Sequence, residues 1–312
     1  MANCSTVTEF IILGLSDAEE LMHWLFVVFL FVYLTTVLGN AVIITVILSE
    51  SSLHTPMYFF LGNLSFLDVG SSSVILPKML SSLFSGQKTI SFVGCFVQMF
   101  FFELLAGTEC FLLAVMAYDR YVAICKPLNY SLIMSQKACL ALLVSSWFAS
   151  FLNSTVHTVA ASVLTFCGPN GINHFFCDVP PLYKLSCSDT SRNEKLLLTA
   201  GVFVGMGPCL FITLTYAIII STILKISSTE RRVKAFSTCA SHLTVVVLFY
   251  GTATFSYIRS LPGFSFDKGK IIPILYSSIT PMLNPLIYSL RNREVKGALR
   301  KALWRKGNSG FH

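Results

Sequence analysis

The sequence predicts an all-α membrane protein: a seven-transmembrane helix bundle, N-terminus outside, C-terminus cytosolic, with a short amphipathic C-terminal helix. Three observations lead there. The 312 residues are 54% hydrophobic and only 12% charged, with a mean hydropathy of +0.71, whereas about 25% of a water-soluble domain is charged. The apolar residues fall into seven runs long enough to cross a bilayer, which takes about 20 residues per helix. Lys and Arg are distributed unevenly between the two sets of connections. This composition excludes a disordered chain, a coiled coil and a nucleic-acid binder, and the net charge of +7 reads as topology.

Residues 1–24 form an extracellular N-terminus. They hold Asp17, Glu19, Glu20 and one short apolar run, Phe10 to Leu15, and lack the basic start and small-residue cleavage site of a signal peptide, so the first span does the targeting. Residues 25–290 carry the seven spans, expected at Leu25 to Leu48, Met57 to Leu80, Cys95 to Tyr121, Leu140 to Leu164, Leu196 to Leu224, Ala235 to Ile258 and Ile271 to Leu290. Residues 291–312 form a cytosolic tail. There Val295, Leu299, Ala302 and Leu303 recur near helical spacing among Lys and Arg, as in a helix lying on the anionic inner leaflet, so membrane lipid is a partner.

Orientation follows from counting cations. Fourteen of the 22 Lys and Arg fall on the face that includes Arg120, Lys126, Arg231, Lys234 and the tail, with four acids; the other face has eight, with eight acids. By the positive-inside rule the first face is cytosolic. Asn3-Cys4-Ser5 is then an outward-facing glycosylation acceptor at Asn3. Four of the ten cysteines, Cys95, Cys167, Cys177 and Cys187, lie at the outer end of span 3 or in the long outer loop, where disulfides persist, and permit three pairings. That loop, from about Thr165 to Lys195, is long enough to cap a pocket.

Three acids lie within spans: Asp68, Glu103 and Glu109. Charge in hydrocarbon is costly, so each faces the bundle interior or a watery cavity; the plainer alternative is a protonated or locally hydrogen-bonded carboxyl. Asp68 and Glu109 match in depth on adjacent helices, a separation suited to a sodium ion between two carboxylates. Asp119 beside Arg120 at the cytosolic end of span 3 is an acid and base whose pairing can break, a two-state latch. Asn284-Pro285 removes a backbone hydrogen bond inside span 7 and loosens it at one point. On span 3, Phe102, Glu103, Ala106, Gly107 and Cys110 form one helical stripe above Arg120, which is either ordinary helix packing or the wall of a pocket. Gly201-Val-Phe-Val-Gly205 in span 5 fits the small-xxx-small pattern and marks close packing near that pocket.

Asp119-Arg120-Tyr121 and Asn284-Pro-Leu-Ile-Tyr288, with Asn40, Asp68, Trp147 and Pro208 in their spans, resemble the rhodopsin-like G-protein-coupled receptors. More narrowly, Leu53-His-Thr-Pro-Met-Tyr-Phe-Phe-Leu61, Met116 to Cys125, Lys234-Ala-Phe-Ser-Thr-Cys-Ala-Ser-His-Leu243 and Pro281 to Asn292 resemble the odorant receptors, from span 1 to the tail. Span 6 carries Phe249-Tyr-Gly251 and no proline, unlike most rhodopsin-like receptors but like the odorant branch. Lys234-Ala-Phe-Ser is similar to the land-vertebrate class.

The resemblance implies the pairings Cys95 with Cys177 and Cys167 with Cys187, and supports Asp68 and Glu109 as a sodium site; no other cofactor is expected. It makes Arg120, Tyr121, Tyr216, Lys234, His242 and Tyr288, beside Asp119, Asn284 and Pro285, the residues of the cytosolic switch. The implied partner is a heterotrimeric stimulatory olfactory-type G protein that raises cyclic AMP, in the plasma membrane of sensory cilia. It also turns the span 3 stripe into a pocket wall and adds Gly201, Val204, Tyr250, Ala253, Thr254, Tyr257, Ser277 and, from the loop, Val179.

That lining is mostly apolar with a few hydroxyls, which suits a small volatile odorant bearing one hydrogen-bonding group and bound at micromolar affinity. Glu103, if ionised, favours an amine; if neutral, it exchanges a hydrogen bond. His157 in span 4 has the same ambiguity and reads as structural. An enzyme is not expected, for the chain has no His-Glu-x-x-His, no Gly-x-Ser-x-Gly and no phosphate-cradling glycine loop. A transporter is the rival from another class, motivated by Asp68 and Glu109, but seven unlike spans offer no paired halves. A receptor for a non-odorant metabolite is the nearer rival.

Overall fold

The computed structural model describes residues 7–15, 18–260, 274–291, 295–297 and 300. Six helices in this set are long and apolar enough to cross a membrane. They are span 1 (Glu19–Ser49), span 2 (Pro56–Ser85), span 3 (Phe92–Cys125), span 4 (Gln136–Ser162), span 5 (Ser191–Leu224) and span 6 (Thr229–Ser260). A seventh helical stretch, residues 274–291, packs against spans 1, 2 and 6 and completes the bundle. Span 3 is the hub, touching spans 2, 4, 5 and 6.

The helices overrun the apolar windows at several ends, because hydropathy marks where hydrocarbon is and caps mark where helices stop. Span 2 opens on Pro56, whose missing N–H costs nothing at a first helical position, and closes at Gly86, whose φ of +70° only glycine adopts freely. Ser91 and Ser135 cap spans 3 and 4 by accepting from the Gly94 and Ala138 amides at 3.1 and 3.4 Å.

Burial runs opposite to that of a soluble protein. Asp68, Ser72, Thr108, Asn40 and Ser150 are fully buried, while Trp24, Phe31, Phe148 and Phe203 are each more than 60% exposed. Such a surface is stable only against hydrocarbon. Inside, small and hydroxylic residues draw helices together: Ser154 donates to the Phe100 carbonyl at 2.6 Å, and a Cβ on Gly39 would lie 3.0 Å from Cγ of Pro285.

Two features were not legible in hydropathy. Spans 5 and 7 each contain a π-helical turn, Gly201–Met206 and Leu275–Ile279. The Gly201 to Gly205 pattern therefore falls on a widened backbone turn; a Cβ at Gly205 would meet nothing within 4 Å, while Val204 between the two glycines lies 3.5 Å from where a Cβ on Gly107 of span 3 would stand, so the turn packs on span 3 without Gly205 making the contact. On the outer face the N-terminal segment forms β1 (Glu9–Ile12), which pairs antiparallel with β2 (Thr89–Ser91) and parallel with β3 (Gly171–Ile172). The register Phe10 to Ile90 turns Phe10 inward, where it is fully buried among Phe92, Phe166 and Phe96. This sheet sits on the loop that the Cys95–Cys177 and Cys167–Cys187 disulfides hold, with Cα separations of 5.4 and 5.9 Å.

Candidate functional site

Three groups of the residues singled out above come together at three depths. Midway through the bundle, Asn284 Nδ2 donates to both carboxylate oxygens of Asp68 at 3.0 Å, tying span 7 to span 2. Asn40 Nδ2 donates to the Thr36 and Pro281 carbonyls at 3.0 and 3.2 Å, the second of which is freed because Pro285 has no N–H to offer it. Glu109 is within electrostatic reach of Asp68. Its Oε1, with Ser72 Oγ, Asn284 Oδ1 and Tyr288 OH, is buried without a hydrogen-bond partner among the described residues. Buried oxygens rarely stay unpartnered unless something else engages them.

At the cytosolic end, Asp119 is fully buried and Arg120 lies beside it, Nε to Oδ2 at 3.7 Å. The other Asp119 oxygen accepts from Tyr130 OH at 2.7 Å, and Arg120 Nε also points at Met57 Sδ, 3.3 Å away on span 2. Tyr130, on the short helix Tyr130–Ile133 of the second inner connection, was not foreseen, since nothing in an eleven-residue separation marks it as the acid's partner. Above this pair, His242 of span 6 bridges two helices: Nδ1 is 2.7 Å from Tyr216 OH on span 5, and Nε2 is 3.1 Å from the Leu113 carbonyl on span 3. A carbonyl only accepts, so the neutral ring carries its proton on Nε2 and Tyr216 donates to Nδ1. Cys125 Sγ meets Thr222 Oγ1 at 3.4 Å, a second tie from span 3 to span 5. Tyr121 stacks near Tyr118 with Lys126 Nζ 5.7 Å from its ring, and Tyr288 is buried. The side chain of Lys234 lies outside the described residues.

Towards the outside, the span 3 stripe faces three elements. Phe102 packs edge-on against Phe176 of the loop at 4.8 Å, with Ala106 in the same cluster. A Cβ on Gly107 would stand 3.2 Å from Ser150 Oγ and 3.5 Å from Val204, so both helices press on that position. The Cys110 carbonyl accepts from Tyr250 OH at 3.1 Å, linking span 6 to span 3 at the level of the stripe. Val179 is buried, Gly201 opens the π-helical turn, Ala253 is half-buried, and Ser277 hydroxyl lies 3.3 Å from that of Ser278. The side chains of Thr254 and Tyr257, and Asn3 altogether, lie outside the described residues.

The loop adds groups that sequence reasoning missed. Asp178 caps the helix Val179–Tyr183 by accepting from the Val179 amide at 2.9 Å. Burial pushes its carboxyl up to about 6, against the pull of that amide. Burial also pushes the Tyr183 phenol up to about 12, against the pull of a side-chain hydrogen bond with Asn193. Gln98 stitches the loop down, accepting from the Cys177 amide at 3.0 Å and donating to the Val74 carbonyl at 2.9 Å. The one signal for Asp178 was its place before Val-Pro-Pro, where an aspartate followed by prolines opens a helix.

A seven-helix bundle with a buried polar centre, an acid and arginine at the cytosolic end of span 3 and a loop disulfide-bonded over the outer end defines a class, the rhodopsin-like receptors. The backbone superposes on squid rhodopsin with a TM-score of 0.74 over 92% of this chain and 87% of that one, at 19% identity, which shows the shared fold. A family profile described as olfactory receptor matches residues 29–306. Olfactory receptor 3A3 of human is 54% identical over 96% of this chain and 94% of its own length. Olfactory receptor 5AR1 of mouse is 50% identical over 97% and 98%. The chain belongs to the olfactory receptor family, and so is a multi-pass plasma-membrane signalling receptor and no enzyme.

Proposed function

We propose that the chain is an odorant-gated receptor that takes a small, mostly apolar volatile in the outer pocket and activates a stimulatory olfactory-type G protein, raising cyclic AMP from the ciliary membrane. The observation that carries the reading is a continuous line of contacts down spans 3 and 6. Tyr250 holds the Cys110 carbonyl at the pocket floor, and two turns below it His242 holds Leu113 and Tyr216. Arg120 lies two turns below Leu113 on the same helix. A ligand that binds one arrangement of spans 3 and 6 better than the other shifts the equilibrium between them. In cells expressing the chain, a broad odorant panel gives ligand-dependent cyclic AMP, and Arg120→Ala abolishes it with surface staining intact. Uptake of a solute without signalling would favour the transporter reading.

The polar latch at the cytosolic end yields a second expectation. Tyr130→Phe removes one hydrogen bond to a carboxylate, worth about 1.5–3 kcal/mol, and frees Asp119 from the inner connection. Ligand-free cyclic AMP, normalised to surface receptor, should rise several-fold; an unchanged baseline would mean Tyr130 does not restrain the latch.

A sodium ion fits the central cluster by chemistry. Asp68, Glu109 and the Ser72 hydroxyl supply hard oxygen donors, and three oxygens there have no other partner among the described residues, Glu109 Oε1, Ser72 Oγ and Asn284 Oδ1. When bound, the ion would neutralise charge that spans 2, 3 and 7 enclose. Purified receptor should then unfold at a higher temperature in sodium chloride than in an equal concentration of a bulky organic cation, and Glu109→Gln should flatten the difference.

A further inference from the structure

We infer that a membrane sterol seats in a recess on the lipid-facing flank of the bundle, between spans 3, 4 and 5 in its cytosolic half, with its hydroxyl toward Tyr118. The site is separate from the odorant pocket and the central polar cluster, none of whose residues line it.

Spans 4 and 5 both pack on span 3 and meet each other at the outer end, where Asn193 Nδ2 donates to the Ala160 carbonyl at 2.7 Å. Nearer the cytosol a cavity of about 490 Å³ opens among the three helices. Its back wall is span 3 from Phe111 to Tyr118, about 10 Å of helix. Ala114 of span 3 and Ala149 of span 4 keep the wall low, and Phe111 and Phe211 supply ring surface. The flanking Phe148, Leu210 and Leu214 are each more than half exposed, so the recess opens onto hydrocarbon and its occupant enters from the bilayer.

A void beside lipid forfeits dispersion contacts, so a membrane component fills it. Which component follows from the polar groups. The lining has no Lys, Arg, Asp or Glu and three hydroxyls, those of Tyr118, Ser145 and Ser146. Ser145 and Ser146 each donate to the Leu142 carbonyl, at 3.0 and 2.8 Å, so what they offer an occupant is lone pairs. Lone pairs accept from a hydroxyl and repel a phosphate, which finds no base here. Arg120, two residues beyond Tyr118, is engaged by Asp119 and by Met57 of span 2. A rigid body also gives up less freedom on seating than an acyl chain with many rotors. A sterol joins the two properties, a flat fused body with one hydroxyl donor at its end. Depth agrees as well: the Tyr118 end of the recess faces the cytosolic boundary that Lys126 and Lys137 mark, and the Phe111 end faces the midplane, which is how a sterol of the inner leaflet lies.

The test is photolabelling of the full-length receptor in cell membranes with a cholesterol analogue that carries a photoreactive group, followed by mapping of the labelled peptides. Label should concentrate on the stretches that hold Phe111 to Tyr118, Leu142 to Ala149 and Phe211. In the unmodified receptor, excess cholesterol should suppress it, and the epimer with the inverted hydroxyl should compete about 3- to 10-fold less well, the range for one lost hydrogen bond. Ala149→Trp puts a large ring into the recess from an exposed position and should abolish this label while surface staining persists. Tyr118→Phe should narrow the gap between cholesterol and its epimer. Label spread evenly over the lipid-facing helices overturns the inference, as does label at these peptides that survives Ala149→Trp. Suppression by excess phosphatidylcholine as strong as by cholesterol also overturns it, for the occupant is then an acyl chain. The competition arms need no variant, so a substitution that failed to reach the surface would leave the inference open to refutation.

Discussion

Cys177→Ala is expected to strip most of the folded receptor from the cell surface, at least tenfold by antibody staining of intact cells. The Cys95–Cys177 bond closes 82 residues of chain and holds the outer loop to the top of span 3. Loss of a native disulfide from an extracellular structure typically costs 2–5 kcal/mol, against a total stability of about 5–15 kcal/mol. The local structure magnifies the loss, because the sulfur bridge, the Gln98 contacts and β1 all converge on this corner. Cys167→Ala should do less, since its loop spans 20 residues and the entropy of closure grows with the logarithm of loop length. Cys209→Ser, at an unbonded cysteine half-buried on span 5, should change surface level little. Equal staining of Cys177→Ala and the parent chain would show that packing alone holds the loop.

How much of this architecture the sequence discloses depends on the length scale of the signal. Spans are legible because twenty apolar residues in a row have one physical explanation, and orientation is legible because cations cross bilayers badly. The outer sheet is not: its strands are four, three and two residues long, and the run from Phe10 to Leu15 shows no clean alternation. Asp68 and Asn284, 216 positions apart, could each be marked as a polar residue in an apolar span, yet their bidentate contact depends on how spans 2 and 7 face each other. The Gly201 to Gly205 pattern shows the opposite failure, a motif whose usual meaning is helix contact but which here lies on a π-helical turn. Residue types predict what a position needs; only the fold reveals which neighbour supplies it.

His242→Phe should raise ligand-free signalling more than any other single change in the bundle. The ring's two nitrogens are what join span 6 to span 5 and to span 3 at this level, at 2.7 and 3.1 Å. Phenylalanine keeps the ring and its stacking on Tyr216, 5.6 Å between centroids, but supplies neither donor nor acceptor. The Tyr216 hydroxyl and the Leu113 carbonyl would then sit in a dry interior without this partner. At about 1 kcal/mol for each lost bond, and more for each group left unsatisfied, the closed arrangement loses about 2–3 kcal/mol, or 30- to 150-fold in the equilibrium constant. Separation of span 6 from spans 3 and 5 restores solvent to those orphaned groups, so the open arrangement does not carry the same penalty. Tyr216→Phe removes one bond and leaves the His242–Leu113 contact, so its effect should be several-fold smaller. Cyclic AMP without ligand, per receptor at the surface, ranks the two variants. Should His242→Phe be silent while it still reaches the membrane and answers odorant, the histidine bridge would belong to the packing of the bundle and not to the balance between its two arrangements.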